Sequence, residues 1–378
     1  MTQDTQGMTS WQPLAGIKVA DFSVLLPGPL STVLLADLGA DVVKVEPPGG
    51  DAARTLLPDM FRSVNRNKRS VVLDLKATEG REHAAKIAAW ADVFIESSRP
   101  GVADRLGIGF DQLTAANPRL IYCSLSGYGQ DGPWKDRPGH DLNYLAASGA
   151  LAFPGTWGAR PARSSVPIAD IVAGSLACSA ILAALRERDH TGKAVRLDLS
   201  LFESALFCTA LRHGLDENAD PAGHLFPGND FFETADGRLI SLGLLEDRFW
   251  HAFVKLTETR APELGNPEFA TLAGRREHGD ELTELLRVVL KQCSAQKWDG
   301  LLEGSDVPFD ICVTPAEAVR SSHIKARGRV AACNNEQFVP FPVTVNDHER
   351  PPVKSTAPSL GQHTDDFLGG LSAAPAKP

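Results

Sequence analysis

Residues 17–46 read IKVADFSVLLPGPLSTVLLADLGADVVKVE, and their order decides the fold. Ile17–Phe22 is a short apolar run of strand length. Pro29 opens a helical segment that continues to Leu38, and Gly39 closes it. Asp41–Glu46, rich in Val, is the next strand. A strand, a helix and another strand in so short a span make a parallel βαβ unit. The alternation continues through expected strands at Ser70–Leu75, Val93–Glu96, Leu120–Ser126 and Val195–Leu199. Helices are expected at about 78–91, 110–116, 140–152, 168–188 and 202–212. The chain is therefore expected to be α/β, with a large open parallel sheet.

From about residue 213 the texture changes. Asp216–Asn229 is rich in Gly, Pro, Asp and Asn, which places a linker at 213–224. Phe231–Thr234, an Asp236-Gly237 turn and Leu239–Leu242 read as a β-hairpin. Helical segments near 247–257, 277–293 and 295–303 follow. The expected division is a large domain over 1–212, completed by 326–378, and a smaller α+β domain over 225–325. Residues 335–360 are Pro-rich and expected to be extended.

The 378 residues carry a net charge of −9, which argues against a nucleic-acid or anionic-membrane partner. No apolar run is expected to approach the length of a membrane span. Residues 1–12 are polar and lack the apolar stretch of a secretory signal, so a cytoplasmic location is expected. Cys123, Cys178, Cys208, Cys293, Cys312 and Cys333 are scattered, with no CxxC, and read as reduced core cysteines. No cluster has metal-ligand spacing, and no metal is expected. Gly127-Tyr128-Gly129-Gln130-Asp131-Gly132 matches GxGxxG after an expected strand. A dinucleotide fingerprint needs a helix starting there, whereas Pro133 and a polar run to Pro138 follow, so the segment reads as a Gly-rich turn.

The stretch that carries chemistry is Gly139-His140-Asp141-Leu142-Asn143-Tyr144-Leu145-Ala146. His140 stands at one expected helix start and Asp170 at the next, an imidazole and a carboxylate suited to moving a proton. Plainer readings stand beside this one. Asp170 could simply satisfy free N–H groups at its helix start, and His140 could be a structural donor. Glu246, beside Asp247 and Arg248, could be a solvated carboxylate.

Several segments taken together resemble the family III CoA-transferases, also called CaiB/BaiF. They are Leu14–Val19 with Pro27-Gly28-Pro29, Leu35–Glu46, Asn65–Ser70, Leu73–Lys76, Arg99-Pro100-Gly101, Ser126–Pro133, Val313-Thr314-Pro315 and Leu360–Thr364. The resemblance covers about residues 14–368, in order. It implies a Rossmann-like large domain, an acyl-CoA substrate with no separate cofactor, and an interlocked homodimer. Within the family, His140, its spacing to Asp170 and Gly243-Leu244-Leu245-Glu246 resemble the α-methylacyl-CoA racemases.

By that resemblance, His140 and Asp170 are the two bases on opposite faces of C2, and Glu246 orients His140 across the subunit interface. In the transferases the residue at the position of Asp170 is instead a nucleophile that passes CoA through an aspartyl thioester. A third reading is a non-catalytic CoA-binding subunit, against which His140 and Asp170 both count. The resemblance also places Lys44, Arg62, Arg66, Lys68, Arg99 and the Gly127-Tyr128-Gly129 turn near the CoA moiety. Cations there would make charge-assisted contacts with its phosphates.

Overall fold

A computed structural model describes residues 11–218, 220–346 and 352–373. The chain divides into two compact units. The first comprises residues 1–148, 164–209 and 322–378, and the second residues 149–163 and 210–321.

The first unit is built on β1 (Lys18–Phe22), β2 (Asp41–Glu46), β3 (Lys68–Val72), β4 (Val93–Glu96), β5 (Ile121–Ser126) and β6 (Val195–Ser200). They form one sheet in the order β3-β2-β1-β4-β5-β6, every pair parallel. Val19, Ala20, Val42, Val43, Phe94, Ile95 and Ile121 are buried on both faces of the sheet. That explains why the inner strands read as near-continuous apolar runs rather than alternating ones. The strand order reverses between β1 and β4, so the crevice beyond their carboxyl ends is the natural ligand site of such a sheet.

β3 begins two residues earlier than the expected Ser70. Lys68 can enter a buried strand because its Nζ meets Asp21 Oδ2 at 3.0 Å on the neighbouring face. As the edge strand, β3 also needs its outer N–H groups satisfied. His363 Nδ1 accepts from Ser70 N–H at 3.1 Å, and Thr364 Oγ1 accepts from Val72 N–H at 3.0 Å. A helix over Thr364–Ala373, not foreseen in the sequence, follows that contact, with Phe367 buried in the core.

The helices that position the site are α1 (Pro27–Asp37), α2 (Asp141–Ala147) and α3 (Ile168–Thr191). α2 is shorter than expected because Gly149, at φ +82°, turns the chain away. α3 corrects the expectation that no run approaches a membrane span. Its 24 residues include an 18-residue window of mean hydropathy 2.0. Within this unit the helix uses that apolar character for packing. Ala169, Ala173, Gly174 and Ala177 are buried, and a methyl group at Gly174 would fall 2.6 Å from Pro27 O of α1.

In the second unit, β7 (Asn229–Glu233) and β8 (Leu239–Gly243) form the expected hairpin, extended by a short β9 (Phe309–Ile311), all antiparallel. Trp250, Phe253, Leu282, Leu286 and Trp298 fill the core beneath helices over 247–257, 279–290 and 295–302. The helix expected over 277–293 breaks at His278. Gly279 lies under Trp157, whose ring a Cβ would overlap at 2.0 Å.

The same tryptophan shows why residues 149–163 leave the large domain to which the sequence reading assigned them. Trp157 N–H donates to Asp230 at 2.9 Å and its Nε1–H to Asp280 at 2.8 Å. Residues 213–224, expected as a linker, also join this unit. His224 Nε2 lies 2.9 Å from Pro154 O, and His213 stacks on Phe153.

Candidate active site

At the carboxyl ends of β1, β4 and β5 the first unit holds a cavity of about 460 Å³. Val24, Leu25 and Pro27 enter it from the segment after β1, and Ser97–Pro100 from the segment after β4. Ser126 and Gly127 form its floor at the end of β5. His140, Asn143 and Tyr144 come from the start of α2, and Asp170 from the start of α3. The cavity thus sits where the strand order reverses, and it collects His140, Asp170, Arg99 and Gly127 from distant parts of the sequence.

Asp170 is the third residue of α3, yet it is not the cap of its own helix. Asp141 does that work, with Oδ1 accepting from Ala169 N–H at 2.8 Å and Asp170 N–H at 3.4 Å. The Asp170 carboxyl has no hydrogen-bond partner among the described residues. Burial, reinforced by the neighbouring charge of Asp141, pushes it up to about 7. A carboxyl freed from capping and poised near neutrality can both take and return a proton.

His140 precedes α2 in an extended conformation, φ −130°. Its backbone N–H donates to Asn143 Oδ1 at 3.0 Å, which fixes the entry to the helix and leaves the exposed imidazole at the cavity. Tyr144 is buried beside them, and its hydroxyl donates to Gly139 O at 2.7 Å. Burial, and then the charge of Asp170, raises the phenol to about 12, so it stays a neutral donor.

Gly127 and Gly139 are small because Tyr144 lies between them. A Cβ at Gly127 would sit 2.7 Å from Tyr144 Oη, and one at Gly139 would sit 2.7 Å from its Cε1. We expect Gly127→Ala to destabilise the protein by about 1–3 kcal/mol through overpacking, and Tyr144→Phe to restore part of that loss. Thermal denaturation of the single and double variants checks this.

The predicted cations divide. Arg99 lines the cavity and is exposed. Lys44 and Lys68 are fully buried, and their ammonium groups are held by Asp51 at 2.9 Å and Asp21 at 3.0 Å. Arg66 pairs with Asp37, and Arg62 pairs with Asp59 on the surface. The expectation that Lys44, Lys68 and Arg66 face CoA phosphates is therefore corrected, because each is turned into the protein and paired there.

Two cations that the sequence reading passed over, Lys135 and Arg137, line the cavity instead. Arg137 lies over Tyr128 and Trp134, 5.6 and 5.3 Å from the ring centroids. They sit in the polar run before His140, and only a cation every second residue marked them. Tyr128 is buried, and Gly129 adopts φ +90° in a turn pinned by Gln130 N–H on Asp198 at 2.9 Å. No helix begins at this turn, so it lacks the dinucleotide-binding geometry. Glu246 lies in the second unit, exposed, immediately before the helix over Asp247–Thr257.

The sequence profile of CoA-transferase family III matches residues 14–364. Human α-methylacyl-CoA racemase is 33% identical over 94% of this chain and 92% of its own. Human succinyl-CoA:glutarate CoA-transferase is 31% identical over 96% of this chain and 86% of its own. A CaiB/BaiF family protein from Brucella suis superposes with a TM-score of 0.83 at 30% identity, covering 97% of this chain and all of its own. Matches of this extent establish that the chain belongs to the family III CoA-transferases, a family whose members include both CoA-transferases and racemases.

Proposed function

We propose that the protein binds an acyl-CoA and moves a proton at C2 of a 2-methylacyl group, interconverting its two configurations. The observation that carries this reading is the shared cavity of His140 and Asp170, with Asp170 raised to about 7.

An acyl-CoA α-proton is weakly acidic. One group takes it, giving an enolate with charge on the thioester oxygen, and the conjugate acid of the other returns a proton from the opposite face. His140 serves one face and Asp170 the other. Arg99, Lys135 and Arg137 give the cavity a cationic lining suited to the CoA phosphates. Glu246 of a second copy is proposed to orient His140 in an interlocked dimer. Full activity in a monomer, measured by light scattering alongside turnover, would sink that part.

Because the ratio of kcat/KM in the two directions equals an equilibrium constant that does not change with pH, both substrate configurations are expected to show the same pH profile. Ionisation of Asp170 places one limb of that profile near 7. A profile with no limb near 7 for either configuration would contradict the assignment.

CoA transfer between an acyl-CoA and a free carboxylic acid is the second reading. The transferases among the relatives favour it. There Asp170 attacks the thioester carbonyl and displaces CoA as its thiolate, giving an acyl–aspartyl anhydride. The thiolate attacks the aspartyl carbonyl and releases the first acid, and the added acid takes CoA from the aspartyl thioester by the same steps in reverse.

A further inference from the structure

Five non-glycine residues among those described have a positive φ, and four are asparagines, which tolerate it. The fifth is Leu25, at φ +64°. A leucine pays for this conformation in steric strain, and a glycine would not. Leu25 lies on the wall of the cavity that holds Asp170 and His140. Its side chain is not stored in the core, for Leu25 is only partly buried while the adjacent Leu26 packs with Val33 and Val64.

The strained backbone is held from several sides. Leu25 N–H points at both oxygens of Asp51, at 3.2 and 3.1 Å. Asp51 pairs with Lys44 at 2.9 Å, and both side chains are completely buried. The same Lys44 Nζ donates to Ser23 O at 2.9 Å. Between these contacts, Val24 N–H donates to Ser97 Oγ at 3.0 Å, and Ser97 also lines the cavity. One buried ion pair thus fixes a carbonyl and an N–H two residues apart. Buried pairs are poor net stabilisers, so their effect on geometry is the stronger reason for this one.

We propose that Leu25 is a specificity-determining residue that contacts the carbon skeleton of the acyl-CoA beside the thioester, and that Lys44 and Asp51 are positioning residues that hold it there. The inference rests on the acyl-CoA reading above.

The test compares Leu25→Gly and Leu25→Ala with the wild-type protein. Calorimetry measures binding of a non-reacting thioether analogue of a 2-methylacyl-CoA, and thermal denaturation measures stability. Both variants are expected to bind the thioether about tenfold more weakly, the scale of a lost apolar pocket contact. Leu25→Gly is expected to keep or raise Tm, by about 1–4 °C, because it relieves the strain. Leu25→Ala keeps the strain and should melt below the glycine variant. A structural role alone would instead lower Tm in both variants and spare the affinity.

Undiminished binding in both variants, or a lower Tm for glycine than for alanine, overturns the assignment of Leu25. Failure of the wild-type protein to bind the thioether overturns the acyl-CoA reading itself.

Discussion

Asp170→Asn is expected to lower turnover by at least about 10²–10⁴-fold while making the folded protein more stable above neutral pH. The two effects share one cause. Burial, and secondarily Asp141, raises the folded-state carboxyl to about 7 from an ordinary value of 3.8. The folded protein therefore holds this proton more tightly than the unfolded chain. That contribution is fully present below pH 3.8 and is lost as pH rises through about 7.

Asparagine does not ionise, so the variant avoids the loss. A shift of this size corresponds to about 4 kcal/mol in full, and partial exposure of the carboxyl reduces the expected gain to about 1–3 kcal/mol. Denaturant unfolding at pH 5 and pH 8 checks it. The advantage of the variant should be larger at pH 8, and an active variant, or one less stable at pH 8, would contradict the account.

Asp21→Ala is expected to cost about 3–5 kcal/mol, a large share of the 5–15 kcal/mol that stabilises a typical domain. Asp21 is fully buried at the end of β1. Its carboxylate accepts from Thr32 Oγ1 at 2.6 Å, Ser23 N–H at 3.0 Å and Lys68 Nζ at 3.0 Å. Burial pushes its pKa up, but Lys68, Lys44 and the hydrogen bonds from Ser23 and Thr32 together outweigh burial and hold it down to about 2. Truncation takes the only carboxylate hydrogen-bonded to Lys68 among the described residues out of the core and leaves its ammonium on Pro29 O and Asn65 Oδ1, two neutral acceptors. The double variant Asp21→Ala/Lys68→Met should recover most of the loss, since it removes both charges. Chemical denaturation of the three proteins measures this. Recovery of stability without loss of CoA affinity in the double variant would separate Lys68 from the ligand site.

These two residues show what the sequence could and could not convey. Apolar runs and Gly or Pro boundaries were enough to place β2 and β4 to the residue, and β1 and β5 within one residue. They carry their own period and length. The His140 and Asp170 pair was legible as residue types at helix starts. That Asp141 caps α3 was not, because it depends on two helix starts packing together. Lys44 and Lys68 misled for a related reason. A lysine in a strand reads as surface or ligand-binding until its buried partner, Asp51 or Asp21, is brought beside it. The helix over Thr364–Ala373 was invisible because it exists to cover the edge of β3, some 290 residues earlier. Leu25 gave no signal at all, since φ is not written in a leucine.

Two-base proton transfer at C2 is tested most directly by incubating the purified protein in D₂O with one configuration of a 2-methylacyl-CoA and following C2 by NMR, with and without succinate. Deuterium is expected to enter C2 and configuration to be lost without any added acid, and Asp170→Asn is expected to abolish this racemisation. No exchange at C2, with a new acyl-CoA formed only when succinate is present, would contradict two-base proton transfer and make Asp170 the nucleophile of a CoA transfer.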